Sequence, residues 1–155
     1  MPKIRWNHKE KFPPALLFQR LVSIISKVAE ILMARVLLIE DDPDTGDSLK
    51  AMLELSGHQV SWARHGREAM SMIQTSHDVI LTDILMPEMD GIESIQFFRR
   101  NHPDIGIVAM TAQRDSPYLR AATLFGARAA LYKPFSIQEL DDAIRKVSAA
   151  RPPEP

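Results

Sequence analysis

No cysteine occurs anywhere in the chain. Disulfides and thiolate metal sites are therefore excluded, while the redox compartment stays open. Glycine and proline are too few, at six and eleven, for a fibrous or low-complexity protein. The net charge of −1 leaves no electrostatic footprint for nucleic acid, and none is expected as a partner. Long apolar runs are also missing. The most apolar segment, residues 13–33, is interrupted by Arg20, Lys27 and Glu30, whereas a membrane span needs about 20 predominantly apolar residues. It lacks an uninterrupted apolar core ending in a small-residue cleavage site, so a signal peptide is not expected. What is present, 155 residues of which 45% are hydrophobic, suffices for one domain with a packed core and a modest extension.

The small net charge hides two unlike parts. Residues 1–33 carry Lys3, Arg5, Lys9, Lys11, Arg20 and Lys27 against Glu10 and Glu30, a net of +4, which leaves −5 for the remainder. Within this leader Leu17, Leu21, Ile24, Val28 and Ile31 recur at helical spacing, with Gln19, Ser23, Ser26, Lys27 and Glu30 mainly on the other side, so an amphipathic helix is expected. Two readings of it stand side by side. It is an accessory leader ahead of a natural start at Met33, or it is a helix for a partner or membrane surface. Its basic residues are spread out and read as a solvated face rather than a DNA-binding stripe. The expected division is 1–33 leader, 34–150 folded domain and 151–155 proline-rich tail, with no output domain following.

From Arg35 onward short apolar runs alternate with helical stretches. Runs at 35–40, 58–63, 78–83, 105–110 and 128–132 predict strands; stretches near 43–56, 65–76, 91–101, 116–125 and 136–149 predict helices. Asp42-Pro43 and Ser116-Pro117 pair an N-cap with proline at the first helical position. Ser136-Ile137-Gln138-Glu139 fits a capping box, and Gly57 and Gly126 sit where C-caps belong. Five strand–helix units predict an α/β fold, a parallel sheet covered on both faces with right-handed crossovers.

In such a sheet the C-terminal strand ends gather at one edge, where ligands bind. Four polar elements fall there: Glu40-Asp41-Asp42, Asp83, Thr111-Ala112 and Lys133-Pro134. Each has an ordinary explanation when taken alone. The acidic run reads as a solvated turn with Asp42 as a helix cap, the threonine as a β-former and Lys-Pro as a surface turn. Together they describe a site that takes a phosphoryl group onto Asp83 with a divalent cation. Clustered carboxylates repel, and a hard cation such as Mg²⁺, which prefers oxygen ligands, relieves the conflict. Asp41 and Asp83 are the expected direct ligands, Glu40 acts directly or through water, and a backbone carbonyl near Leu85 could complete the set. Lys133 offers positive charge, Thr111 a hydroxyl and Ala112 a backbone N–H to a phosphoryl group, whose transfer relies on positioning and electrostatics.

The stretches Val36–Asp44 (VLLIEDDPD), Val79–Gly91 (VILTDILMPEMDG), Val108–Ala112 (VAMTA) and Leu131–Phe135 (LYKPF) resemble the receiver domain of two-component response regulators. The likeness runs from about Arg35 to Ala149. It implies a flavodoxin-like sheet of order 2-1-3-4-5, a cis Lys133–Pro134 bond and a cytoplasmic setting. It also implies phosphoryl transfer to Asp83 from a sensor histidine kinase or histidine phosphotransfer protein. In that family's terms Glu40 and Asp41 hold Mg²⁺, Thr111 senses the phosphoryl group and Lys133 pairs with it. The chain would then be a single-domain signalling protein rather than an enzyme, acting on a downstream protein target or in a phosphorelay.

One departure concerns the readout. Receivers usually carry an aromatic residue three positions before the lysine, and here that place is Ala130. Tyr132 is on the same face of the strand and is expected either to take over or simply to pack. Leu85 and Gln113, two residues beyond Asp83 and Thr111, flank the path of attacking water in the resembling family. A degenerate receiver that only docks is the alternative function, although all five site residues are retained. An aspartyl-phosphate hydrolase of the haloacid dehalogenase type is disfavoured, because Leu85 stands where that family needs a second aspartate.

Overall fold

The computed structural model describes residues 14–86, 91–113 and 117–148, with side chains described for all of these except 14 and 26–32. The chain divides into two compact units, Met1–Leu32 and Met33–Pro155. In the first, helix α1 spans Pro14–Leu32, as the apolar spacing predicts. Leu17, Phe18, Leu21, Ile24 and Ile25 are exposed on it. Among the described residues no helix is long and apolar enough to cross a membrane.

The second unit runs β1 (Arg35–Ile39), α2 (Pro43–Leu55), β2 (Gln59–Ala63), α3 (Gly66–Met72), β3 (Val79–Asp83), α4 (Gly91–Asn101), β4 (Gly106–Thr111), α5 (Pro117–Phe125), β5 (Ala129–Tyr132) and α6 (Ile137–Ser148). The strands form one sheet in the order β2-β1-β3-β4-β5, and every neighbouring pair is parallel. This is the order that the resemblance implies.

Strand side chains alternate between faces, so the inner strands β1, β3 and β4 each feed two cores. Leu37, Ile39, Ile80, Ile107 and Ala109 pack with Ile95 and Phe98 of α4 and Leu119 and Ala122 of α5. Val36, Leu38, Val79, Leu81, Val108 and Met110 pack with Leu49 and Leu53 of α2 and Leu140, Ile144 and Val147 of α6. β1, β3 and β4 are buried on both faces, which is why their sequences carry near-continuous apolar runs. β5 lies at the edge. Ala129 and Leu131 turn toward the α2–α6 core while Ala130 and Tyr132 are exposed on the other face, and this accounts for its weak composition.

The local signals act as expected. Asp42 caps α2 by accepting the Thr45 N–H at 2.7 Å, and Pro43 follows it. Ser136 and Glu139 form a reciprocal capping box: the Ser136 N–H donates to Glu139 Oε2 at 2.8 Å and the Glu139 N–H to Ser136 Oγ at 3.2 Å. Gly57 and Gly126 have φ of 88° and 124°, and the residue after each donates back into its helix, His58 to the Leu53 carbonyl and Ala127 to the Ala122 carbonyl. Both are Schellman caps. The Ser116 cap falls outside the described residues. One helix is shorter than its sequence predicts. α3 ends at Met72 rather than near 76, because Ile73 turns extended and Gln74 and His77 close a turn through two bonds of 3.0 Å, one to the His77 ring.

A buried polar link ties the N-terminal edge of the sheet to the last helix. His58 Nδ1 accepts the Ala34 N–H at 3.1 Å, and its Nε2 lies 2.9 Å from Asp141 Oδ1. The other oxygen of Asp141 accepts from Arg145.

Candidate functional site

Parallel pairing brings the expected residues to one edge. Ile39 is in register with Thr82 and Asp83 with Met110, so Glu40, Asp83 and Thr111 emerge side by side. Lys133 leaves β5 next to them, and its N–H donates to the Thr111 carbonyl at 2.8 Å. The Lys133–Pro134 peptide is cis.

The Lys133 ammonium stands at the centre. Its Nζ lies 2.5 Å from Asp83 Oδ2 and 2.5 Å from Glu40 Oε2. Glu40 is buried, and that burial raises its pKa above the usual carboxylate value even though Lys133 pulls it down. Burial alone would depress the Lys133 pKa. Its hydrogen bonds to Asp83 and Glu40 outweigh that, so it rises and the ammonium stays charged. The second oxygen of Asp83 accepts the Leu85 N–H at 2.8 Å, and Glu40 Oε1 receives the Asp42 N–H at 3.4 Å. Thr111 is fully buried; its Oγ1 accepts the Gln113 N–H at 3.1 Å. Ala112 and Lys133 share a cleft of about 480 Å³ with Leu49, Met52 and Phe135.

The sequence-derived set is therefore assembled around Asp83, Glu40 and Lys133, with Thr111 and Ala112 alongside. Asp41 is half-buried. Among the described residues no three carboxylates or imidazoles are gathered into a ready-made metal cluster, so Glu40, Asp41 and Asp83 do not form a closed cage. Lys133 instead bridges two of those carboxylates. Leu85 contributes its N–H to Asp83. Asp42 is the helix cap, and its hydrogen bonds from Thr45 hold its pKa low.

Trp62 was not a candidate from sequence. Its indole Nε1–H donates to the main-chain carbonyl of Glu40 at 3.0 Å. The two residues stand 22 positions apart on adjacent strands, and no spacing rule in the sequence connects them.

Residues 36–145 match the family model for the response regulator receiver domain. The chain is 38% identical over 108 residues to the response regulator MprA of Mycolicibacterium vanbaalenii, covering 68% of this chain and 46% of that protein. It is 35% identical over 106 residues to the uncharacterized transcriptional regulatory protein YrkP of Bacillus subtilis, with the same 68% and 46% coverage. The chain thus spans about half the length of the curated relatives it matches. Among solved structures, a response regulator receiver domain protein of Clostridium thermocellum superposes with a TM-score of 0.71 at 27% identity, covering 75% of this chain and 94% of that one. The chemotaxis protein CheY4 of Vibrio cholerae gives 0.69 at 29%, covering 74% and 98%. A sheet of this order, an acid–lysine–threonine edge and a family match over most of its length agree: the chain belongs to the response regulator receiver domain family of two-component signalling.

Proposed function

We propose that this domain accepts a phosphoryl group on Asp83 from a histidine kinase or a histidine phosphotransfer protein, and signals by changing what it binds or by passing the group on. The observation that carries this reading is the Lys133 ammonium, held 2.5 Å from both Asp83 and Glu40 at the sheet edge. In the transfer, an Asp83 oxygen forms the new O–P bond as the donor's N–P bond breaks. Lys133 can follow the charge from the free carboxylate to the phosphoryl oxygens without leaving the site. The Thr111 hydroxyl and the Ala112 N–H are the further donors to those oxygens. The Leu85 N–H on Asp83 Oδ1 leaves Oδ2, now facing Lys133, as the attacking oxygen.

The donor set is entirely oxygen, which suits a hard divalent cation. Mg²⁺ would be held by Asp41 and Asp83, by Glu40 directly or through water, and by the Leu85 carbonyl. When bound it supplies charge neutralisation to the transferring phosphoryl group. Asp41 is the residue free to join, because Glu40 and Asp83 are already engaged by Lys133.

Signalling by protein contact or relay, without nucleic acid, is part of the same proposal. The observation favouring a DNA-directed alternative is YrkP, a transcriptional regulatory protein about twice the matched length. A gel-shift assay on random-sequence DNA, with and without phosphorylation, separates the two. The test of the phosphoryl reading is intact mass after incubation with acetyl phosphate and Mg²⁺. Wild type gains one phosphoryl group and Asp83→Asn gains none. Equal labelling of both proteins would remove Asp83 from the role.

A further inference from the structure

The acidic pair is held from behind by the edge strand. Both main-chain groups of Glu40 bond to β2: its N–H donates to the Ala63 carbonyl at 3.1 Å, and its carbonyl accepts the Trp62 indole N–H at 3.0 Å. That carbonyl belongs to the peptide joining Glu40 to Asp41. A peptide is planar, so pinning its oxygen also fixes the nitrogen and Cα of Asp41. One indole hydrogen bond thus holds the plane of the peptide that links the two acids.

The indole is itself clamped. Its ring lies against the α2 backbone at Gly46, where a β-carbon would stand 2.0 Å from Trp62 Cζ2. The Arg64 guanidinium lies over the ring, 4.6 Å from its centroid. Gly46 sits one turn into a helix, where glycine costs about 1 kcal/mol relative to alanine. Trp62 is only partly buried, and its N–H is aimed at the Glu40 carbonyl. Gly46 leaves the space, Arg64 covers the ring, and the N–H reaches the Glu40–Asp41 peptide.

We propose that Trp62 is a positioning residue for the Glu40–Asp41 pair, holding the peptide between them in the orientation that lets both carboxylates serve a divalent cation at Asp83. This rests on the cation-assisted phosphoacceptor reading above. Trp62 does not touch the phosphoryl group; it acts through the Glu40 carbonyl.

The test uses the full chain in a Trp6→Phe background, which leaves Trp62 as the only tryptophan. Mg²⁺ binding is measured by calorimetry, and labelling by acetyl phosphate is measured as a function of Mg²⁺ concentration. Trp62→Phe keeps an aromatic ring and removes the N–H. It is expected to raise the Mg²⁺ concentration for half-maximal labelling by roughly three- to tenfold, the worth of one hydrogen bond, while the rate at saturating Mg²⁺ stays within about twofold. Arg64→Ala, which uncovers the ring but keeps the N–H, is expected to shift the Mg²⁺ dependence in the same direction by less than Trp62→Phe does. A merely structural role would not produce that split. Should Trp62→Phe lose its cooperative melt, Gly46→Ala takes its place, since the added methyl displaces the ring and is expected to weaken Mg²⁺ binding to the same extent. Wild-type Mg²⁺ dependence in whichever of these two variants folds would overturn the proposal. Failure of the parent protein to bind Mg²⁺ or to label at Asp83 would overturn the underlying reading instead, a separate result.

Discussion

Lys133 Nζ bridges Asp83 and Glu40 at equal distances of 2.5 Å, with only 18% of the lysine side chain exposed. One ammonium thus screens two carboxylates that would otherwise face each other at the sheet edge. Lys133→Ala leaves both acids without a counter-charge. Breaking a fully buried ion pair costs about 3–5 kcal/mol; discounted for the solvent that reaches Lys133, the loss here is expected to be roughly 1–3 kcal/mol. The same variant should gain more stability from Mg²⁺ than wild type does, because the cation then takes over the neutralisation. Denaturant melts with and without Mg²⁺ measure both effects, and an equal Mg²⁺ increment in the two proteins would contradict the account.

At the opposite edge, His58 links Ala34 to Asp141. His58→Leu keeps the bulk but strands a buried N–H and removes a partner from Asp141. Each unsatisfied buried group costs about 1–3 kcal/mol, so the loss is expected to be on the order of 2–4 kcal/mol, with the phosphorylation rate at saturating Mg²⁺ unaffected. Thermal unfolding together with acetyl phosphate labelling checks both halves.

His77 sets an acid limit on stability. Its ring is buried, which holds its pKa below the ordinary value of 6.5, and its Nδ1 accepts the Gln74 N–H. With the folded pKa depressed, its contribution is complete above about pH 6.5, the unfolded value. It is lost as pH falls through the folded value, because the unfolded chain takes the proton first. His77→Gln should therefore flatten the decline in melting temperature below that pH. An unchanged slope would assign the acid sensitivity to other groups.

The lifetime of the phosphorylated form should depend on Leu85 and Gln113. Leu85 lies beside Asp83 with its side chain at the margin of exposure, and Gln113 is exposed beyond Thr111. Leucine cannot orient a water, whereas asparagine and glutamine can donate and accept. Leu85→Asn is expected to change the autodephosphorylation rate several-fold and Gln113→Ala to change it less. Release of phosphate over time measures both, and unchanged rates in both variants would make these positions passive.

Most of this was legible before the structure because it is written in local signals. The β1, β3 and β4 runs are near-continuously apolar up to their polar ends, as doubly covered strands require. Asp42-Pro43, Ser136-x-x-Glu139, Gly57 and Gly126 mark helix ends by chemistry that acts within a few residues. The site was legible for the same reason, since Glu40, Asp83, Thr111 and Lys133 each close a strand of a parallel sheet. The end of α3 was not, because the turn that stops it depends on a His77 ring folding back onto Gln74. Nor were the bonds from Trp62 to Glu40 and from His58 to Asp141, which join residues 22 and 83 positions apart. Such pairings are fixed by register and helix packing, and neither leaves a trace in spacing. Tyr132 shows the intermediate case. Strand alternation placed it with Ala130 on one face, but its 41% exposure, which makes it available to a partner, follows from β5 being at the edge.

The central claim is tested most directly by trapping the product. After reaction with acetyl phosphate and Mg²⁺, hydroxylamine attacks an acyl phosphate at its carbonyl carbon, releasing phosphate and leaving a hydroxamate on the residue that carried it. Peptide mass mapping should find that hydroxamate at Asp83 and nowhere else, with no product when Mg²⁺ is withheld by chelation. A phosphoryl adduct that survives hydroxylamine, or a hydroxamate at Asp41 with Asp83 unmodified, would contradict the account.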